Sequence, residues 1–535
     1  MKKWSVVLIL ALAQFVMVLD STVMNVSIAT IVKDLNTTVN SHQTAITFYT
    51  LTMAALMLIG AKLSARWGLL RAFIIGSIVY GIGSLITGFS QNIQTLMLGW
   101  SVVEGLGAVL VIPSIAALVA VNYKGKDRIT AYAIIGGISG AAAAAGPLIG
   151  GFMTTYLSWR YVFIAETVIM VLVLLFSRSY KTSGKDMSQK IDMRSALLSS
   201  VGMILLVLGL LQSKAWGWVT PLTIPEVSGR EIAPFGISIV AYLIIAGLLL
   251  LKVFWNRQLL LEESGKQPLV SVSMFKIKQL RSGMLVLSSQ YVITAAIFFV
   301  VPIYLQMVLG LNALDTGIRI LPLSLALIVF SLVGTRLVST YSPRGIVKIG
   351  QLLLVLGSIS LLLAIKPDLT GIWFALAMFA VGAGLGLLAS QLGNINMSAV
   401  DQSKSSEVGG LQGSFQNLGS SLGTALIGSV LIASLTSGFI TNINSSQLSQ
   451  NSKDYISQNA ATGVQIVPVN SIESTAIEKG AKESEAKIVS EEYLGAQITG
   501  LRQSVFFLVA ISLFSLTLSR GIPSKVLVSS KQKTA

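Results

Sequence analysis

Asp20, Glu104 and Glu166 are the residues of this chain whose types and positions could carry proton or cation chemistry, because each lies inside an otherwise apolar stretch. Asp20 sits in Leu19-Asp20-Ser21-Thr22-Val23-Met24-Asn25-Val26, toward the far end of an apolar run from Trp4 to Ile31. That run is long enough to cross a bilayer as a helix. An Asp at the bilayer centre costs roughly 2.5 to 3.5 kcal/mol on insertion scales, so packing alone gives no reason to place one there. Apolar surroundings favour the neutral form of a carboxyl group, and so do like charges nearby. Such groups suit proton carriers or ligands for a cationic substrate. At about 1.5 Å per helical residue, all three acids fall between the middle and the outer half of their stretches. The blander readings are an Asp20 wetted at the interface and a Glu166 that reaches back to the headgroups.

The elements that must position these acids are membrane helices. The 535 residues are 53% hydrophobic and 11% charged, far below the charged quarter of a soluble globule, so the chain reads as a polytopic all-α membrane protein. Fourteen apolar stretches are long enough to span: 5–31, 43–61, 72–90, 95–121, 131–156, 160–177, 195–213, 235–254, 283–309, 317–338, 346–365, 371–397, 408–436 and 501–519. The first resembles a signal peptide but is too long and lacks a small-x-small site ahead of Asp20, so it reads as a retained span.

The net charge of +16 comes from basic residues dispersed between spans, such as those of Lys62 to Arg71, Tyr123 to Arg128 and Lys252 to Arg281. They read as topology signals and not as a nucleic-acid surface. An even span count with this bias puts both termini in the cytoplasm. No cysteine and one histidine exclude thiolate chemistry and His-rich metal sites; no metal and no cofactor are expected. No nucleophile with a matching base is apparent, so the chain is not expected to be an enzyme, and no Gly-x-x-x-x-Gly-Lys-Ser/Thr loop points to ATP. Residues 440–500, rich in Ser, Asn, Gln, Glu and Lys, form an outer insert that is either partly helical, chiefly over Ser471 to Tyr493, or a disordered loop.

Basic connections follow span 2 (Lys62 to Arg71) and span 10 (Arg336 to Lys348). If they are equivalent, residues 1–178 are one six-helix bundle and 283–535 a second, with spans 7 and 8 inserted over 179–282. Parallel repeats of this kind build major facilitator transporters, with the substrate site at the interface of the repeats. Span 5 ends in Gly146-Pro147-Leu148-Ile149-Gly150-Gly151 after Gly136-Gly137 and a run of alanines. Small residues let helices approach closely and proline bends a span, so this stretch implies a bend at a tight interface.

On these residues the chain resembles a known family. Gly146 to Gly151 matches the antiporter signature of major facilitator drug exporters, and Leu19 to Val26 is similar to the first-span signature of their fourteen-span drug:proton antiporter branch, the EmrB/QacA type. Trp159-Arg160-Tyr161-Val162-Phe163, Asp192 with Trp216-Gly217-Trp218, Pro268-Leu269 with Phe275, Tyr304-Leu305-Gln306, Gly317 to Pro322 and Gly409 to Gly423 extend the match over nearly the whole chain outside the insert and tail. The resemblance implies a major facilitator fold and proton-coupled export.

The chain also departs from the family pattern. In the loop after span 2 it reads Ala61-Lys62-Leu63-Ser64-Ala65-Arg66-Trp67-Gly68, keeping Arg66 and Gly68 but carrying Ala65 where the family has an acid that locks the closed state. The span-4 arginine tied to proton coupling in relatives is Ser101, four residues before Gly105. Glu104 stands where an amide is usual, and Glu166 where span 6 has asparagine. One intramembrane cation is lost and two acids are gained.

Candidate substrate-lining residues are Asn25, Trp100 and Ser101 on the first half. Gln290, Thr294, Tyr304 and Gln306 on span 9, with Gln391 and Asn394 on span 12, add to them. An acid beside an aromatic suits a lipophilic cation; the alternative for the polar stripes is interhelical hydrogen bonding. The expectation is a monomeric exporter of amphiphilic or cationic small molecules in a prokaryotic plasma membrane, driven by protons through Asp20, Glu104 and Glu166. A dedicated metabolite exporter or symporter, or a non-transporting membrane sensor or partner, is the rival reading.

Overall fold

The computed structural model describes residues 4–37, 39–177, 191–227, 230–369, 372–460 and 463–524. Among these residues are fourteen helices long and apolar enough to cross a membrane. They are span 1 Ser5–Met24, span 2 Thr44–Trp67, span 3 Leu69–Gly88, span 4 Ile93–Asn122, span 5 Gly125–Tyr156, span 6 Arg160–Ser177 and span 7 Met193–Trp216. There follow span 8 Ile239–Glu263, span 9 Lys278–Val308, span 10 Leu314–Leu337, span 11 Pro343–Ala364, span 12 Trp373–Met397, span 13 Ser405–Ser445 and span 14 Glu483–Gly521. The face at which span 1 begins is called proximal below, and the opposite face distal.

The helices pack as two copies of one pattern. In the first half span 1 lies on span 5, span 2 on span 4, and span 3 on spans 4 and 6. Eight spans later the same contacts recur: 9 on 13, 10 on 12, and 11 on 12 and 14. The contacts between halves are also paired, 2 with 13 against 5 with 10, and 4 with 13 against 5 with 12. This is the two-bundle major facilitator architecture expected from the sequence. Spans 7 and 8 pack on each other, and span 7 seals the groove between spans 2 and 13.

Glycine makes the closest crossings possible. A Cβ on Gly146 would lie 1.8 Å from Thr22 Oγ1, and one on Gly150 3.3 Å from a Val23 methyl, so the Thr22 and Val23 side chains of span 1 rest directly on the bare glycine backbone of span 5. Gly151 is buried too, while the side chains of Pro147 and Asn25 lie outside the described residues. On another face of span 5, Gly136 approaches Ala389 and Gly140 approaches Leu327 of the second half. Gly68 turns the chain between spans 2 and 3 with a φ of +92°, a conformation glycine adopts without strain.

Some expected boundaries shift. The first helix ends at Val26, and a short helix, Ile28–Asp34, follows a break at Ser27. Spans 13 and 14 run for 41 and 39 residues, far beyond the roughly 20 that a bilayer core needs. Hydropathy registers only their lipid-facing portion. Their distal ends carry the 440–500 insert, which is ordered over its described residues and does not take the disordered-loop form. Helices Gln450–Ala460 and Asn470–Glu478 pack with these ends around Leu435, Phe439, Ile443, Leu448, Ala460 and Tyr493. The Tyr493 hydroxyl donates to Gln465 O at 2.9 Å, and Val469 N donates to Met307 O at 3.0 Å, tying the insert to span 9.

Candidate functional site: a buried three-carboxylate pocket

The local sequence of span 4 explains how its acid and aromatic are presented. Met97 to Glu104 forms a π-helical turn, wider than an α-turn and common at functional sites. Gly83 of span 3 lets that turn approach: a Cβ there would stand 2.5 Å from the Glu104 nitrogen. Trp100 and Glu104 therefore point together toward Asp20 of span 1. The Trp100 indole donates to both Asp20 oxygens, at 2.7 and 2.8 Å, and stacks on Tyr49 of span 2 with centroids 4.7 Å apart.

Glu166 of span 6 completes the set. One oxygen from each of Asp20, Glu104 and Glu166 lies within 4.8 Å of the others, and the three residues are 0 to 1% exposed. This corrects the reading of Glu166 as an interfacial side chain. Span 3 lies against span 6, and Ser84 donates to Glu166 Oε2 at 3.3 Å, holding the carboxyl inside the bundle. The wetted reading of Asp20 falls for the same reason: Trp100 and Tyr49 cover it. Among the described residues no ion pair reaches any of the three acids. Both Glu104 oxygens and Glu166 Oε1 have no hydrogen-bond partner, and neither does the buried Tyr80 hydroxyl.

Two further constellations were not legible as such in the sequence. On the distal rim, Arg160 binds Asp34 and donates to Ser90 O through Nη2 at 2.8 Å, while Trp159 Nε1 donates to Asp34 at 2.9 Å. This clamp joins the ends of spans 1, 3 and 6 above the acids. On the proximal face, Lys62 Nζ lies 3.7 Å from Glu407 Oε1 of span 13 and donates to Pro268 O at 3.0 Å. Ser271 N and Oγ donate to the other Glu407 oxygen at 3.2 and 3.1 Å. Lys62, three residues before the missing loop acid at Ala65, thus supplies a charged clasp between the halves. Arg66, four residues on, is half-buried.

The remaining candidates divide. Ser101 faces span 2 and donates to Ala45 O at 2.8 Å, so it fastens a helix pair beside the pocket. In the second half, Tyr304 donates to Lys366 O at 2.8 Å, Gln391 to Gly334 O at 3.1 Å, and Thr294 to Gln290 O at 2.8 Å. Asn394 accepts from Arg128 Nε of span 5 at 3.0 Å. These groups serve helix packing. Gln290 keeps an unpartnered buried Oε1, and Gln306 is half-buried. None of them is brought to the carboxylate pocket.

Two repeated helix bundles, with three carboxyl groups buried together in the first, have the architecture of a secondary transporter. The chain belongs to the Major Facilitator Superfamily, whose profile matches residues 10–424. Among similar proteins, the puromycin resistance protein pur8 of Streptomyces alboniger is 28% identical over 80% of this chain and 81% of its own. The tetracenomycin C resistance and export protein of Streptomyces glaucescens is 28% identical over 81% and 76%. The probable multidrug resistance protein EmrY of Escherichia coli is 26% identical over 79% of each. Among solved structures, the human organic anion transporter MFSD10 has the same fold, with a TM-score of 0.57 at 11% identity over 97% of this chain and 100% of that one.

Proposed function

We propose that the protein exports amphiphilic or cationic small molecules by alternating access, exchanging them for protons at Asp20, Glu104 and Glu166. The observation that carries this reading is three convergent buried carboxyl groups with no cationic partner among the described residues. Three neighbouring carboxylates cannot all stay ionised in a low-dielectric interior, so the pocket must take up protons or a cation. The relatives named for drug and antibiotic resistance support efflux as the direction. Trp100 and Tyr49 give the pocket an aromatic wall for a lipophilic cation. Gln290 and Gln306 on span 9 contribute to the substrate path from the other half.

In the cycle, the Lys62–Glu407 clasp and the glycine crossings of span 5 hold the proximal side shut while the distal side exchanges ions. One proton moving down about 100 mV supplies about 2.3 kcal/mol, and each pH unit about 1.4 kcal/mol. For a neutral amphiphile one or two protons thus sustain roughly a hundredfold gradient. A monovalent cation exchanged for one proton moves no net charge and draws on the voltage only if a second proton enters. The working placement is a prokaryotic plasma membrane with cytoplasmic termini, a single chain as the active unit, and bundle limits at 1–178 and 283–535.

The test uses purified protein in liposomes holding a pH dye, with an imposed proton gradient and ethidium added. Ethidium-driven proton movement that is lost in Glu104→Gln is the expected result. Proton movement unchanged in both Glu104→Gln and Asp20→Asn would overturn the assignment.

A further inference from the structure

We propose that the Asp20–Glu104–Glu166 pocket also binds a divalent metal cation of calcium size, in competition with protons. The inference rests on reading this pocket as the exchange site of the transport cycle, and it adds an ion that nothing in the sequence suggested.

The geometry comes first. A metal–oxygen distance of about 2.4 Å, central to the range for Ca²⁺, puts opposite ligands about 4.8 Å apart. The three carboxylate oxygens lie within 4.8 Å of one another, so an ion between them stands within a few tenths of an ångström of that metal–oxygen distance from each, and side-chain adjustment alone brings all three into range. Four different spans hold the shell in place, since Tyr80 comes from span 3.

Unused valence is the second argument. Glu104 contributes two buried oxygens and Glu166 one that accept no hydrogen bond. Tyr80, which is no part of the acidic set, is 0% exposed, and its hydroxyl approaches Asp20 and Glu104 without closing a hydrogen bond of good geometry to either. Buried polar atoms are almost always paired. Glu104, Glu166 and Tyr80 thus leave four buried oxygens able to take an ion beside the convergent acids.

Charge and donor chemistry then select the occupant. Among the described residues the titratable groups that face the pocket are the three acids, Tyr49 of span 2 and Tyr80, and no Lys, Arg or His is among them. One divalent ion and one retained proton bring three carboxyl groups to zero net charge, whereas a monovalent ion needs two protons. The donors are oxygens alone, which favours hard cations over zinc or copper. Mg²⁺ prefers a compact octahedron and keeps its waters, which a pocket this buried does not supply.

Trp100 makes the proposal testable, because its indole touches Asp20 and can sensitise the luminescence of Tb³⁺, a hard lanthanide of similar radius. Full-length protein in nanodiscs is titrated with Tb³⁺ while tryptophan is excited. The expected result is sensitised emission displaced by Ca²⁺ at a concentration at least about tenfold below that needed with Mg²⁺. Emission should fall to background in Glu166→Gln and persist in Asp454→Asn, an exposed acid of the distal insert. Because Glu166→Gln could fail to fold, the wild type is also melted with each ion, and Ca²⁺ should raise Tm more than Mg²⁺. Absent emission, emission undiminished in a folded Glu166→Gln, or equal Tm shifts with the two ions would overturn the inference. Ethidium-driven proton movement is read on the same preparations without divalent ions. Metal binding lost while that exchange continues removes this site and leaves the exporter reading, and metal binding without exchange does the reverse.

Discussion

The two halves of the molecule share a packing pattern and differ in what their polar groups do. Spans 1, 4 and 6 bring Asp20, Glu104 and Glu166 together with oxygens left unpaired. The counterpart spans of the second half, 9, 12 and 14, carry the neutral amides Gln290, Gln391 and Gln497. Gln391 and Asn394 spend their groups on neighbouring helices. An amide cannot exchange a proton near neutral pH, so even the lone Oε1 atoms of Gln290 and Gln497 offer only a hydrogen bond. The packing frame occurs twice, and among the described residues only its first copy draws three carboxyl groups into one buried pocket.

Breaking this contrast should cost most at the acids. Glu104→Gln makes the first half chemically like the second, and ethidium-driven proton flux should fall by about two orders of magnitude or more, the usual worth of a positioned proton-transfer group. Stopped-flow readout of the pH dye checks it. Next comes the joint between halves. Lys62→Met leaves Glu407 charged beside Ser271 and should cost about 3 kcal/mol, seen as a lower Tm in detergent. Adding Glu407→Gln should restore most of that loss if the pair acts as a clasp.

Gly146→Val tests the closest crossing within the first half. Its side chain would enter the space of Thr22, and overpacking of this kind costs about 1 to 3 kcal/mol. Transport should fall with stability, and Thr22→Ala should relieve part of both losses. In the second half, Gln391→Leu should cost only about 0.6 kcal/mol, typical of an interhelical hydrogen bond, with proton coupling intact. Loss of coupling in Gln391→Leu would show that the neutral half shares the chemistry.

The smallest effect is expected at the inserted pair of spans. Asp192 caps span 7, and its bidentate contact with Arg257 of span 8, at 2.7 and 2.8 Å, holds its carboxyl well below the usual range. A depressed pKa contributes stability above the ordinary carboxylate range and loses it as pH falls through the folded value. The Tm difference between wild type and Asp192→Asn should thus be full at neutral pH and shrink only below about pH 4. Asn still caps the helix, so at neutral pH only the charge contact with Arg257 is lost, worth about 0.5 kcal/mol for a partly exposed pair.

Much of the fold was legible because its signals are local. A span is an uninterrupted apolar run, and each of the fourteen could be counted from composition within its own window. The three acids were equally visible as charges inside such runs, and Gly146 and Gly150 as small residues that permit a close crossing. Where span 13 ends was not legible, because its distal turns face the insert and water and not lipid. Hydropathy does not distinguish a polar helix from a polar loop.

The convergence of Asp20, Glu104 and Glu166 belongs to tertiary structure. They are separated by 84 and 62 positions in the chain, and only the packing of spans 1, 3, 4 and 6 makes them neighbours. The π-turn that aims Glu104 inward depends on Gly83 of another span. The same holds for Lys62, which reads as one more proximal charge until span 13 presents Glu407. Which polar groups are left unpaired is likewise decided only after every neighbour is placed. Hydrophobic runs are properties of contiguous residues, whereas a site whose chemistry arises from mutual burial exists only once distant segments exclude water together.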